Sequence, residues 1–317
     1  MKKCIGIDIA KKNFVAAVRK KNDVVYTKSF SNNDKGALRF IKWATKFPAE
    51  QYHFCMEATG IYGDKLALFL HEKGHIVSIV NPAKIKYFMK SQLSRNKTDP
   101  IDARYILQYC ELFNLDIWHP KPLEIQALQQ LVKRLDTLIK AELEEQNRLE
   151  NASEIIKDPI IAHIGYLKEQ VKNIEKKIKN HIGQCSHLKE KAALLISIIG
   201  IGQKTTNKIL AFLGNIENFD NAKQAGAFVG LNPHQFQSGT SLRYGKLSKT
   251  GDPKLRKMFY MPALTAVRHN PILKAFYERL IAKGKLKKVA ICAVMRKLVH
   301  IVYGVLKSKK PFDLKLV

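Results

Sequence analysis

The opening third of the chain constrains the fold most, because its hydrophobic periodicity changes in a fixed succession. "KCIGIDIA", "NFVAAVRK" and "DVVYTKSF" have strand lengths and are joined by tight polar turns, which predicts a three-stranded meander. "DKGALRFIKWATKF" then places Phe40, Trp43, Ala44 and Phe47 at helical spacing. "QYHFCMEA" reads as a strand, "IYGDKLALFLHEKG" as a helix closed by Gly74, and "HIVSIV" as a buried strand. Two helical pieces follow, around "AKIKYFM" and "PIDARYILQYCELF". The succession strand-strand-strand-helix-strand-helix-strand-helix predicts a mixed sheet flanked by helices.

From about Pro122 the pattern changes. Leu128, Leu131, Leu135 and Leu138 step three and four apart, as do Ile164, Leu167, Val171, Ile174 and Ile178, with charge on the remaining faces. Two long helices separated by a break near "KDPII" would form an antiparallel coiled-coil hairpin or a dimerising arm. An amphipathic pair packed on its own domain satisfies the same spacing. Near Cys185 a third region begins, apolar and punctuated by glycines. The expected organisation is an α/β domain over 1–120, a coiled-coil linker over 121–185 and a mainly α domain over 186–317.

The chain carries 55 Lys and Arg against 27 Asp and Glu, a formal charge of +28. A folded chain this basic points to a polyanionic partner, nucleic acid first among them. The five cysteines form no C-x-x-C and no Cys/His pairing, so neither a zinc module nor a disulfide framework is indicated. "MKKCIGIDIA" meets an acid too early for a secretory signal, and "AALLISIIGIG" is too short to span a membrane. The expectation is a soluble cytoplasmic protein.

Against that basic background stands "NKTDPIDARYI". Asp99 before Pro100 suits an N-cap, and Asp102 follows at i+3 on the same helix face. Alone, this is a capped helix start. Asp8 in "GIDIAKKNF" and Glu57 in "CMEATGIYG" change its meaning, because in a ribonuclease H-like sheet their strands are central neighbours. The following helix can deliver Asp99 and Asp102 to the same place. Four crowded carboxylates raise one another's pKa values and need cations to neutralise them. Hard oxygen ligands select Mg²⁺ or Mn²⁺, which can activate a nucleophile at a phosphodiester.

Two further motifs carry chemistry. "LLISIIGIGQKTTNKILAFLG" resembles a helix-hairpin-helix, in which Gly200 and Gly202 let backbone N–H groups reach a phosphate and Lys204, Thr205 and Lys208 add contacts. An ordinary αα-hairpin reads the same way. In "AGAFVGLNPHQFQSGTSLRYGKLSKTGDPKLRKMFYMPAL" a polar loop holds Ser238, Ser241 and Ser248 among Arg243, Lys246, Lys249, Lys254 and Arg256. A serine in such a setting can attack phosphorus while the cations balance its charge. His234 and His269 receive no role.

Taken together, "GIDIAKKNF", "MEATGIY", "NKTDPIDARYI", "IIGIGQKTTNKIL", "FVGLNP", "QSGTS" and "GKLSKTGDPKLR" resemble the DEDD insertion-sequence transposases related to the Piv-type DNA invertases. The resemblance covers nearly the whole chain. It implies a RuvC-like (ribonuclease H-like) domain, a coiled-coil linker and a C-terminal transposase domain with a nucleophilic serine. It also implies dimers or tetramers and a non-coding bridge RNA that pairs with donor and target DNA. By motif the metal-binding acids fall on Asp8, Glu57, Asp99 and Asp102, and the serine on Ser238, with Ser248 also inside a family motif. The competing reading is a metal-dependent junction nuclease that uses water and keeps Ser238 structural.

Overall fold

Strand β1 (Lys2–Ile9) returns after a three-residue turn as β2 (Asn13–Arg19), and β3 (Val25–Ser31) completes the meander. Helix α1 (Asp34–Ala44), strand β4 (Gln51–Glu57), helix α2 (Ile61–Glu72), strand β5 (Ile76–Val80) and helices α3 (Pro82–Ser91) and α4 (Asp99–Leu112) follow in the expected succession. The computed structural model describes residues 2–20, 23–58, 60–92, 98–238 and 241–314, with side chains except those of Lys2, Ile61 and residues 235–246. These residues fall into two units, Met1–Lys121 and Pro122–Val317.

In the first unit the sheet order is β3-β2-β1-β4-β5. β1 pairs antiparallel with β2 and parallel with β4, and β4 pairs parallel with β5. Alternation along each strand sorts the side chains onto two faces. Ile5, Ile7, Ile9, Phe14, Phe54 and Met56 face Phe40 and Ala44 of α1 and Leu66, Ala67 and Leu70 of α2. Burying each large apolar side chain there contributes roughly 1.5–3 kcal/mol. Phe40 packs edge-on against both Phe14 and Phe54.

The opposite face is covered by α4, where Val15 and Ala17 of β2 meet Ala103 and Leu107. Gly6 decides how closely that helix approaches. A Cβ built on Gly6 would lie 2.2 Å from the Leu107 amide nitrogen and 2.4 Å from the Ala103 carbonyl oxygen. Helix backbone therefore rests directly on β1, and no side chain fits at this position. The helix runs antiparallel to the strand, since Cys4 Sγ donates to the Cys110 carbonyl at 3.4 Å while Gly6 sits under Ala103 and Leu107. Arg19 of β2 grips Glu111 at the far end of α4 through Nε and Nη2, at 3.0–3.1 Å.

Asp99 is not the N-cap the sequence suggested. Thr98 occupies the cap with extended backbone (φ −148°, ψ 151°), and its carbonyl accepts from the amides of Ile101 and Asp102. Asp99 is the first helical residue, so its carboxylate is not spent on capping.

The second unit starts with the helices α5 (Leu123–Glu150) and α6 (Glu154–Gln184), which pack on each other. The break between them falls at residues 151–153, not at "KDPII". Pro159 lies inside α6, one turn past its start, where it removes the hydrogen bond to the Ile155 carbonyl, and the helix continues through it. Leu128, Val132, Leu135, Ile178 and Ile182 root this pair in the main core of the unit. Near the other end Glu145 is buried, held by Arg148 at 2.7 Å and His163 at 3.5 Å.

Helices α7 (Ser186–Ile196), α8 (Gln203–Phe212) and α9 (Ala222–Val229) lead to a two-stranded antiparallel sheet, β6 (Pro233–Ser238) and β7 (Ser241–Leu247). The stretch read as a polar loop is thus a hairpin that pairs Ser238 with Ser241. Helices α10 (Pro253–Met258), α11 (Tyr260–His269), α12 (Pro271–Ala282) and α13 (Lys287–Ser308) close the unit. By length and composition α13 could cross a membrane, with a mean hydropathy of 1.8, which the sequence reading missed because Arg296, Lys297 and His300 interrupt its apolar run. Val294, Leu298, Val299 and Val302 on α13 are fully buried in the core of this unit.

Candidate active site

Asp8 follows Ile7 on β1 and Glu57 follows Met56 on β4, and Ile7 and Met56 are register partners in the parallel pair. Period-two alternation puts Asp8 with Gly6 and Cys4 on the face covered by α4. From Cys4 to Asp8 the strand climbs about 13 Å, while from Cys110 back to Asp102 the helix climbs about 12 Å. An antiparallel helix clamped at Cys4 and Gly6 therefore delivers its first turn, with Asp99 and Asp102, to Asp8.

The electrostatics agree with this geometry. Asp8 is pushed from its ordinary value of 3.8 up to about 6, first by burial and then by Asp102, Asp99 and Glu57, with the Ile9 amide opposing. Each of the three other acids acts on Asp8 strongly enough to shift it. One half-buried carboxyl thus feels three carboxylates from two further elements, a costly arrangement without a counter-charge. Hard oxygens crowded in this way fit a divalent cation of the Mg²⁺ or Mn²⁺ type.

The remaining predicted residues lie in the second unit. Ser238 ends β6, and its hairpin is closed at the base by the Ser248 amide donating to the Asn232 carbonyl at 2.9 Å. The side chains of Ser238, Ser241, Arg243 and Lys246 lie outside those described. Lys249 holds a left-handed backbone conformation (φ +54°), unusual for a residue with a Cβ, directly after Ser248. Asp252 caps α10 by accepting from the amides of Lys254 and Leu255, and Arg256 stands one turn further on.

The glycine turn divides into two roles. Gly200 has φ +105°, and a Cβ there would meet Ala266 at 2.8 Å, so it seats the turn on α11. Gly202 faces open space at the start of α8. Lys204 pairs with Glu175 at 3.1 Å and Lys208 with Asp136 at 2.6 Å, which ties this helix to α6 and α5. Thr205 is half-buried beside them.

Sequence spacing hid two clusters that only the fold assembles. Cys4, His53 and Cys110, from β1, β4 and α4, bring their side-chain ligand atoms within 4.8 Å of one another. They form a hydrogen-bonded chain: Cys110 Sγ lies 3.5 Å from His53 Nδ1, His53 Nε2 lies 2.8 Å from Ser78 Oγ, and Ser78 donates to the Asp116 carbonyl. The Cys4 thiol is held far above the usual range, first by its hydrogen bond to Cys110 and then by burial, so it serves as a donor under α4. The second cluster, around Arg296 and His300 of α13, is taken up below.

Comparison with known proteins fits this constellation. Residues 5–155 match the DEDD transposase model of the IS110 type, and residues 192–278 match the model described as Transposase IS116/IS110/IS902 family. The chain is 33% identical to the pilin gene-inverting protein of Moraxella bovis over 98% of both chains. It is 26% identical to the transposase for insertion sequence element IS1328 of Yersinia enterocolitica, over 76% of this chain and 79% of that one. Similarity to the IS1111A transposase of Coxiella burnetii is 24% over 84% of this chain and 78% of that one. The chain belongs to the IS110/IS116 family of transposases, and it is a DNA recombinase.

Proposed function

We propose that the protein cuts and rejoins DNA strands through a covalent phosphoserine at Ser238, assisted by the acids Asp8, Glu57, Asp99 and Asp102. The observation that carries the part given to the acids is the joint effect of Asp102, Asp99 and Glu57 on Asp8, and Ser238 is assigned from its place within the stretch that matches the transposase family. The four carboxylates would hold Mg²⁺ or Mn²⁺, and the chemistry supplied there when bound is activation of an oxygen nucleophile and stabilisation of the leaving oxygen. Ser238 Oγ attacks the scissile phosphorus as the phosphorus–oxygen bond to the displaced strand breaks, and the serine proton passes through a base to the leaving oxygen, so that strand departs with a free hydroxyl. Arg243, Lys246 and Lys249 balance charge on the phosphate. The unit carrying the acids is the ribonuclease H-like one, and its sheet order supports that assignment.

Metal binding has a readout apart from activity. In metal-free protein Asp8 binds its proton more tightly folded than unfolded, so its contribution favours folding below pH 4 and is lost as pH rises toward 6. Solvent screening at this half-buried group brings the loss to on the order of 1 kcal/mol. Mg²⁺ or Mn²⁺ at a hundredfold its Kd should restore about 2.7 kcal/mol at neutral pH, seen as a rise in Tm. Asp8→Asn should melt higher than wild type without metal and gain nothing from adding it. Equal metal-induced shifts in the two proteins would contradict the assignment.

Guidance by a non-coding bridge RNA belongs to the same proposal. Beside the +28 charge of the chain, a concavity of about 420 Å³ on the first unit is lined by Lys28, Arg39, Lys42 and Lys46 beside Trp43, a basic and aromatic lining that suits a nucleic acid strand. Purified protein should recombine donor and target plasmids only with RNA transcribed from the DNA flanking its gene. Equal recombination without RNA would exclude guidance.

Assembly as a dimer or tetramer is supported by the tip half of the helical pair, where Leu143, Ile155, Ile161 and Tyr166 are exposed. The seam predicted at Leu131 and Leu135 is instead internal to the pair, since Leu135 is buried in the core of its own unit. Leu143→Asp with Ile161→Asp should therefore weaken self-association at least tenfold by sedimentation while leaving the melting curve unchanged, because placing carboxylates in an apolar contact costs several kcal/mol. An unaltered oligomer would move the interface elsewhere.

A further inference from the structure

Beneath the serine hairpin, four polar side chains from three segments converge on bare glycine backbone. A Cβ built on Gly226 would lie 3.3 Å from both Asn232 Oδ1 and His300 Nε2, with Arg296 Cγ at 3.8 Å. A Cβ on Gly230, which closes α9 at φ +77°, would lie 2.5 Å from Arg256 Nη1. Cys292, Arg296 and His300 step by four along one stripe of α13, and Arg256 acts on the Cys292 thiol, so both arginines address the same face. Tyr303, one turn beyond His300, donates to the carbonyls of Phe219 and Asp220 and fixes this end of α13 beside α9.

The four residues are half-buried, and no ion pair to Arg256 or Arg296 is found among the described residues. Asn232 Oδ1, Arg256 Nη1, Arg296 Nε and His300 Nε2 are all inaccessible to solvent and have no hydrogen-bond partner among the described residues. His300 is held below its usual value by burial, then by Arg296, Lys297 and Lys223, so it stays neutral while three further cations surround it. Even the exposed Lys204 and the half-buried Lys208 of this unit are answered by acids, Glu175 and Asp136. Buried guanidinium N–H groups left unmade are costly, and several converging on one place define an anion site. A phosphate suits them best, because guanidinium forks match its oxygens.

We propose that Arg256, Arg296 and His300, grouped beside Asn232, form a site that clamps one backbone phosphate of the nucleic acid strand led to the serine hairpin. Position commits the source. Asn232 immediately precedes β6, and its carbonyl holds the Ser248 amide that closes the hairpin, so the bound phosphate lies at the root of the segment bearing Ser238. The site rests on the reading that this unit handles nucleic acid. It does not require Ser238 to be the nucleophile.

The test is binding of a labelled DNA duplex to full-length protein across a salt series. Each neutralised phosphate contributes about 0.9 to the slope of log K against log salt. Two arginines on one phosphate predict that Arg256→Gln with Arg296→Gln lowers the slope by about 0.9, whereas two separate contacts would lower it by about 1.8. No change, or the larger loss, overturns the site. A second measurement covers failure of the double variant to fold. Sulfate should raise the Tm of wild-type protein above chloride at equal ionic strength, and Arg296→Gln alone should lose that increment; equal melting in the two salts overturns the proposal. Sulfate stabilisation with an unchanged DNA slope would make this a free-anion site and overturn the nucleic acid assignment. Ser238→Ala should keep the wild-type slope, so failure of the serine chemistry and failure of the site are read separately.

Discussion

Asp102→Asn should lower strand cleavage by on the order of a thousandfold, equivalent to about 4 kcal/mol of lost transition-state stabilisation, while DNA affinity changes less than about twofold. The carboxylate stands on the first turn of α4, which Gly6 holds against β1, and it acts on Asp8 more strongly than any other acid does. Removing its charge leaves the helix seated on Gly6 and relieves Asp8, so folding should not suffer. It also removes no phosphate contact. Glu57→Gln should behave in the same way, and single-turnover cleavage beside equilibrium binding separates the two effects. Cleavage within about tenfold of wild type in both variants would remove the acids from the chemistry.

Ser238→Ala carries the second large effect. Recombination should fall below detection, because exchange of strands needs the cut end held covalently until a new hydroxyl attacks it. Metal-dependent stabilisation should survive, since the acids lie in a different unit. Nicking that persists without rejoining would point to water at the same phosphorus, the outcome expected of a junction nuclease.

The sheet was legible because its strands keep period two and its helices 3.6, with Gly74 ending α2 and Pro100 marking the start of α4. The convergence of the acids was legible for the same reason, since element order places Asp8 beside Glu57. Other features depend on contacts that spacing does not encode. Pro159 read as a break, yet α6 runs through it, its packing against α5 outweighing the lost hydrogen bond and the crowding of the Ile155 carbonyl. The hairpin around Ser238 hid behind serines, glycines and cations that read as turn formers. Arg296 and His300 looked like interruptions of an apolar helix, and only the close approach of Gly226 and Gly230 makes them neighbours of Arg256 and Asn232. Cys4, His53 and Cys110 meet only because α4 runs antiparallel to β1.

The covalent intermediate tests the account most directly. Protein mixed with a nicked suicide substrate in Mg²⁺ or Mn²⁺ is denatured, digested and searched by mass spectrometry for a DNA-linked peptide. The account predicts the adduct on Ser238, absent from Ser238→Ala and absent when metal is withheld. An adduct on Ser248 would move the nucleophile to the base of the hairpin. Undiminished cleavage by Ser238→Ala with no adduct on any residue would contradict the phosphoserine mechanism.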